Sequence, residues 1–170
     1  MQRPSPKDIE KVMQDNDFIV SKTDTTGKIT YGNEIFINMS GYSEEELLDK
    51  PHSILRHPDM PKIIFKFLWD HIQSKKEIFA YVKNLRKDGS YYWVFANVTA
   101  SLDPNGKIIG YYSVRRKPNP KALETVSGLY KQLLDAEKKG GMEASKQILL
   151  KTLEQQGKSY EQFVLESQKL

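Results

Sequence analysis

The sequence contains no cysteine. Disulfides, thiolate metal sites, iron–sulfur clusters and thiol nucleophiles are excluded together, as is flavin photochemistry through a cysteinyl adduct. No apolar run approaches the roughly 18 residues that cross a bilayer. The opening stretch, MQRPSPKDIEK, has charges and prolines but no apolar core. It is not read as a signal peptide, and the chain is expected in the cytoplasm. Charge of one sign is nowhere concentrated. Residues 1–120 hold 18 basic and 15 acidic residues, and residues 121–170 hold 8 and 7. The densest basic run is Arg115-Arg116-Lys117. A nucleic-acid surface concentrates its cations on one face, so no nucleic-acid partner is expected despite the net charge of +4.

Enzyme signatures are also missing. There is no G-x-S-x-G, no P-loop and no G-x-G-x-x-G. The three histidines, His52, His57 and His71, form no H-x-x-x-H pair. A metal set of His57, Asp59 and His71 gains no support from their spacing. The chain reads as a non-enzyme without a metal.

What is present suits one domain with an accessory segment: 170 residues, 38% hydrophobic and 28% charged. Residues 1–15 form a polar lead-in with one short helical pattern. Residues 16–117 are rich in turns, aromatics and β-branched residues. Residues 118–170 open on Pro118 and Pro120 and continue as proline-free helix.

The middle zone begins with a strand over 17–24, a turn at Thr25-Thr26-Gly27 and a return strand over 28–31. A short helix follows over 32–39. Ser43 and Glu46 have capping-box spacing for another. Pro61 opens a helix to about Ser74, where Ile64, Phe65, Leu68, Trp69 and Ile72 recur at three- and four-residue steps. Strands over 78–86, 91–101 and 107–116 are joined by Lys87-Asp88-Gly89 and Asp103-Pro104-Asn105-Gly106. Helices between two strand blocks mark an α+β fold with an antiparallel sheet. The tail carries two apolar stripes separated by Gly140-Gly141. They serve equally as a cap on the sheet or as a partner-binding segment.

The segment from Pro51 to Pro61 places charged and aromatic groups between prolines, just ahead of a helix N-terminus. Two readings stand level. Arg56 and His57 could flank an anion at that terminus, or Asp59 could cap the helix and pair with Arg56. Trp69 is either core or a stacking surface. Alternation puts Val82 and Asn84 on one face of their strand and Tyr81, Lys83 and Leu85 on the other. It does not say which face meets a pocket.

These elements and motifs together resemble a PAS domain, and more narrowly the flavin-binding PAS domain of the Aer family of bacterial aerotaxis and energy-taxis transducers. The resemblance is carried by Ile29-Thr30-Tyr31-Gly32-Asn33-Glu34-Ile35-Phe36, by Met39-Ser40-Gly41-Tyr42-Ser43, and by Asn84-Leu85-Arg86-Lys87-Asp88-Gly89. Most specific is Arg56-His57-Pro58-Asp59-Met60-Pro61. The resemblance covers residues 15 to 117. With no membrane span and no visible HAMP unit, the chain is similar to the stand-alone, CetB-type half of bipartite energy-taxis systems.

The resemblance implies the PAS fold, a five-stranded antiparallel sheet with helices on one face and here a C-terminal helical segment. It implies FAD held non-covalently between sheet and helices. Arg56, His57 and Asp59 match residues needed for FAD binding, Trp69 and Asn84 match residues against the flavin, and Asn33 matches a pocket-rim asparagine. Cationic Arg56 or His57 would favour an anionic flavin. Asn84 could answer a change of donor to acceptor at the flavin ring by reorienting its amide. The implied partner is a membrane-bound chemotaxis transducer carrying HAMP and signalling units, reached without direct membrane insertion. A homodimer is the family default. The rival classes are a haem-binding PAS domain using His57 or His71 and a ligand-free dimerisation module.

Overall fold

The computed structural model describes residues 2–169. Its elements run β1 (Phe18–Thr23), β2 (Ile29–Gly32), α1 (Glu34–Ser40), α2 (Glu44–Leu47), a 3-10 turn (His52–Leu55), α3 (Lys62–Gln73), β3 (Ile78–Leu85), β4 (Tyr91–Leu102), β5 (Ile108–Arg116), α4 (Pro120–Gln156) and α5 (Tyr160–Lys169). The five strands form one sheet in the order β2-β1-β5-β4-β3, and all its neighbours are antiparallel. The α+β fold expected from the sequence is the observed one. No helix among the described residues is long and apolar enough to cross a membrane.

Local chemistry sets the helix starts. Asn33 caps α1 by accepting from the Phe36 amide, and Gly41 ends that helix in the left-handed region at φ 78°. Ser43 and Glu46 form the expected capping box on α2. These short helices, the 3-10 turn and α3 stand over one face of the sheet. Register decides that face. Asn84 lies opposite Tyr92, Val82 opposite Val94, and Ala96 opposite Arg115, which in turn pairs with Ile19 on β1. Directly opposed residues share a face, so Asn84, Val82, Ala96 and Arg115 all look toward the helices.

The lead-in does not form the expected helix. Its backbone is extended and lies along the β3–β4 turn: Lys7 N–H donates to Gly89 O at 2.8 Å, Tyr91 N–H to Ile9 O at 2.9 Å, and Lys11 N–H to Tyr91 O at 2.8 Å. Pro4 and Pro6 cannot donate to a helical ladder, and Met13 instead drops into the core at 2% exposure. A Cβ on Gly89, at φ +92°, would strike the Ser5 carbonyl, so only glycine lets the strap lie this close.

The tail packs on its own domain. Tyr130 donates to the Tyr81 carbonyl at 2.7 Å, and Tyr81 donates to the Val164 carbonyl at 3.2 Å. Tyr160 meets Phe67 of α3 edge-on at 5.7 Å. The break expected at Gly140-Gly141 is real. Gly141 has φ 73° and ψ −168°, splitting α4 into two arms.

Candidate functional site

A cavity of about 420 Å³ lies between the sheet and α3, within the roughly 300–1,000 Å³ range of ligand sites. The sheet supplies Val82, Asn84, Ala96, Val98, Ser113 and Arg115 to its wall, and α3 supplies Phe65, Leu68, Trp69 and Ile72. The Trp69 indole stands perpendicular to the Tyr111 ring at 5.5 Å.

The loop leading into α3 crosses the end of β3, where Arg56 and Asn84 form an isolated antiparallel bridge. That crossing brings both onto the cavity wall. The Arg56 guanidinium lies 4.1 Å above the Phe65 ring. Asn84 is 4% exposed, and its Nδ2 has no hydrogen-bond partner among the described residues. A buried amide without a partner costs about 1–3 kcal/mol, so a donor aimed into an open cavity marks a place for an acceptor.

A second cluster faces the same space. Arg115 is 3% exposed and donates through Nη2 to Ser21 Oγ. Ser21 Oγ also meets His52 Nε2 at 3.2 Å. Buried beside the Arg115 charge, the imidazole is held neutral. Burial and the neighbouring Arg115 charge push the His52 pKa down to about 3. The Phe36 ring stacks on His52 at 5.7 Å and supports the Arg115 guanidinium at 4.8 Å. Arg115 Nε has no partner.

Of the residues singled out in the sequence, Arg56, Trp69 and Asn84 meet at the cavity. The other three do not line it. His57 is 4% exposed, accepts from the Asp59 amide at 3.0 Å and packs edge-on against Tyr91. Asp59 is exposed and pairs with Lys83 at 2.9 Å. Asn33 caps α1 and ties it to β1 through Phe18 O at 2.8 Å and the Val20 amide at 3.1 Å. The contacts of Asp59 with Lys83 and of His57 with Tyr91 hold the Arg56 loop on β3 and β4, and the contacts of Asn33 hold α1 on β1. The expected helix cap by Asp59 and its pairing with Arg56 are not observed. His71 is also off the wall, its Nδ1 2.7 Å from Phe67 O. Ser21, His52 and Arg115 escaped sequence reasoning as site residues. The available signal was alternation along β5, which puts Tyr111, Ser113 and Arg115 on one face.

The α3 N-terminus does receive an anion, and the chain supplies it. The Glu137 carboxylate accepts from the Lys62 amide at 2.8 Å, the Ile63 amide at 3.1 Å and the Ser145 hydroxyl at 2.8 Å. It thus ties both arms of α4 to α3. Glu137→Ala is expected to cost about 1–2 kcal/mol, the usual loss of a helix cap. It should also speed tryptic cleavage after Lys138 and Lys139. Urea unfolding and limited proteolysis check this, and a loss below about 0.3 kcal/mol with unchanged cleavage would remove the latch.

Comparison with known proteins decides the family. A family model described as PAS fold matches residues 29–115. The chain belongs to the PAS family. The PAS chain is 39% identical over 121 residues to the aerotaxis receptor of Escherichia coli K12, covering 71% of this chain and 24% of that receptor. It is 29% identical over 97 residues to the nitrogen fixation regulatory protein of Klebsiella pneumoniae, covering 57% of this chain and 20% of that protein. The chain thus spans a quarter or less of these relatives. Among solved structures it resembles a light-oxygen-voltage domain studied with a flavin analogue, at TM-score 0.59 and 20% identity over 67% of this chain and 87% of that one. It also resembles the dark structure of the blue-light photoreceptor Aureochrome1 LOV, at TM-score 0.56 and 24% identity over 70% and 86%. The two solved structures establish the fold, and the aerotaxis receptor makes this an Aer-like PAS domain.

Proposed function

We propose that this chain is a cytoplasmic redox sensor, a non-enzymatic PAS module that binds FAD in the cavity and reports flavin redox state to a membrane-bound chemotaxis transducer. The observation that carries the reading is the unpartnered Asn84 Nδ2 buried on the cavity wall. The residues fit a flat heterocycle with a polar edge. Asn84 can donate to a ring acceptor, Trp69 and Leu68 offer apolar surface to a ring, and Ala96 leaves room beside the sheet. Arg56, Lys62 and Lys66 are the wall cations available to the phosphates of a dinucleotide. Bound FAD would supply a two-electron centre whose ring nitrogens change between accepting and donating hydrogen bonds.

The side chains do the rest. The Asn84 amide can present either its oxygen or its nitrogen to the same point. A turn of that amide acts on β3, because the Arg56 loop bridges β3 at Asn84 itself. Lys83, the preceding residue, holds Asp59 of the same loop at 2.9 Å. Tyr81 on β3 contacts α5 and α4. A change at Asn84 therefore has a short physical route to the outer helices. In the haem reading, His57 or His71 would be the axial ligand, and neither lines the cavity.

The purified protein is expected to be yellow, to bleach with dithionite, and to release FAD on denaturation, as read by visible spectroscopy and chromatography. A folded, colourless protein that cannot be loaded with FAD would end the reading.

A further inference from the structure

The cavity wall is electrostatically one-sided. Arg56, Lys62, Lys66 and Arg115 line it, and no aspartate or glutamate among the described residues does. Three of these cations have routes to water or to other groups: Lys62 and Lys66 are exposed, and Arg56 is half-buried over Phe65. Arg115 differs. It comes from the middle of the sheet, is 3% exposed, and forms no ion pair among the described residues. Its contacts are neutral: the Ser21 hydroxyl and the Phe36 ring. Its Nε is left without a partner. A buried charge is retained at a free-energy cost unless something neutralises it. Nothing among the described residues does, and the open side of the guanidinium is the cavity.

We propose that Arg115 is the charge selector of this cavity, a binding residue that favours a ligand carrying, or acquiring, negative charge on the group seated between the sheet and α3. His52 does not share the task, because it is held neutral beside Arg115 and Ser21. His57, the alternative cation in the sequence reading, is off the wall. Applied to FAD, the inference rests on the reading above. Taking up two electrons and one proton leaves the ring one unit more negative, so Arg115 binds the reduced ring more tightly than the oxidised one.

Two measurements separate this inference from the FAD reading. On the FAD-loaded protein, spectroelectrochemistry of wild type, Arg115→Met and Arg115→Lys gives the midpoint potential. Arg115→Met is expected to lose at least tenfold in preference for the reduced ring, a fall of about 30 mV for a two-electron couple. Arg115→Lys should keep more than half of the wild-type preference. An unchanged potential in Arg115→Met overturns the inference. A residue with only a structural role would not move the potential while far-UV circular dichroism stays the same. Arg115→Gln is the second neutral variant should methionine disturb the fold.

The second measurement needs no flavin. The ligand-free protein is titrated with 1-anilinonaphthalene-8-sulfonate and with N-phenyl-1-naphthylamine, the same ring system without the sulfonate. Wild type is expected to favour the anion at least fivefold more than Arg115→Met does. Should the protein take no FAD, the proposed function falls and the dye pair still decides the inference. Equal selectivity in wild type and Arg115→Met overturns it.

Discussion

Asn84→Ala is expected to weaken FAD binding by ten- to a hundredfold and to leave the ligand-free protein as stable as wild type or slightly more so. The two effects separate because the buried Asn84 Nδ2 has no hydrogen-bond partner among the described residues. Most buried asparagines are structural, and truncating them strands a partner and costs about 1–3 kcal/mol. Here one unsatisfied donor is removed, and the hydroxyl of the cross-strand Tyr92 is already without a partner. The backbone bridge to Arg56 does not depend on the side chain. The full penalty falls on the complex, where one hydrogen bond from a dry wall is worth about 1.4–2.7 kcal/mol on the affinity scale. Fluorescence titration with FAD and urea unfolding of the ligand-free protein measure the pair. A variant that loses more than about 2 kcal/mol of stability and keeps its FAD affinity would make Asn84 a structural residue.

The fold was legible because its signals are local. Capping at Ser43, the turns at Gly89 and Gly106, and alternation along three consecutive strands each specify a short stretch, and together they leave one sheet. The extended lead-in was not legible. Its fit depends on Gly89, more than 80 residues away, accepting the Ser5 carbonyl against its Cα. The site was legible only in part. Arg56, Trp69 and Asn84 sit in unusual local settings, and the resemblance named them. Arg115 sat in Arg115-Arg116-Lys117, which reads as a basic surface run. The strand separates the three: Arg115 faces the core while Arg116 faces solvent. Glu137 was invisible for a different reason. Its role as cap for α3 lies 75 residues from Lys62, and nothing near it in sequence announces a helix terminus.

His52 sets the second large expectation, an acid-sensitive cavity wall. Its folded pKa of about 3 lies below the ordinary 6.5. The unfolded chain therefore binds a proton at pH values where the folded chain refuses one. Stability is full above about pH 6.5 and is lost as pH falls toward 3, with a limiting slope of about 1.4 kcal/mol per unit. The ring borders the cavity, so part of the penalty is screened, and about 1–2 kcal/mol is expected to go between pH 7 and pH 5. The depressed carboxylates, Asp24, Glu46, Asp59 and Asp88, titrate below that window. The other contributor within it is His57, whose pKa is also lowered, chiefly by burial. Unfolding of the ligand-free protein at pH 7 and pH 5 should show the loss, and His52→Gln should recover at least half of it. Glutamine keeps a polar partner for the Ser21 hydroxyl and cannot be protonated. An identical pH 7 to pH 5 loss in His52→Gln would assign the acid sensitivity to His57 and would mean that His52 shares its proton freely beside Arg115. That outcome would conflict with the burial of the His52 ring and with the Arg115 charge beside it, both of which oppose a proton there.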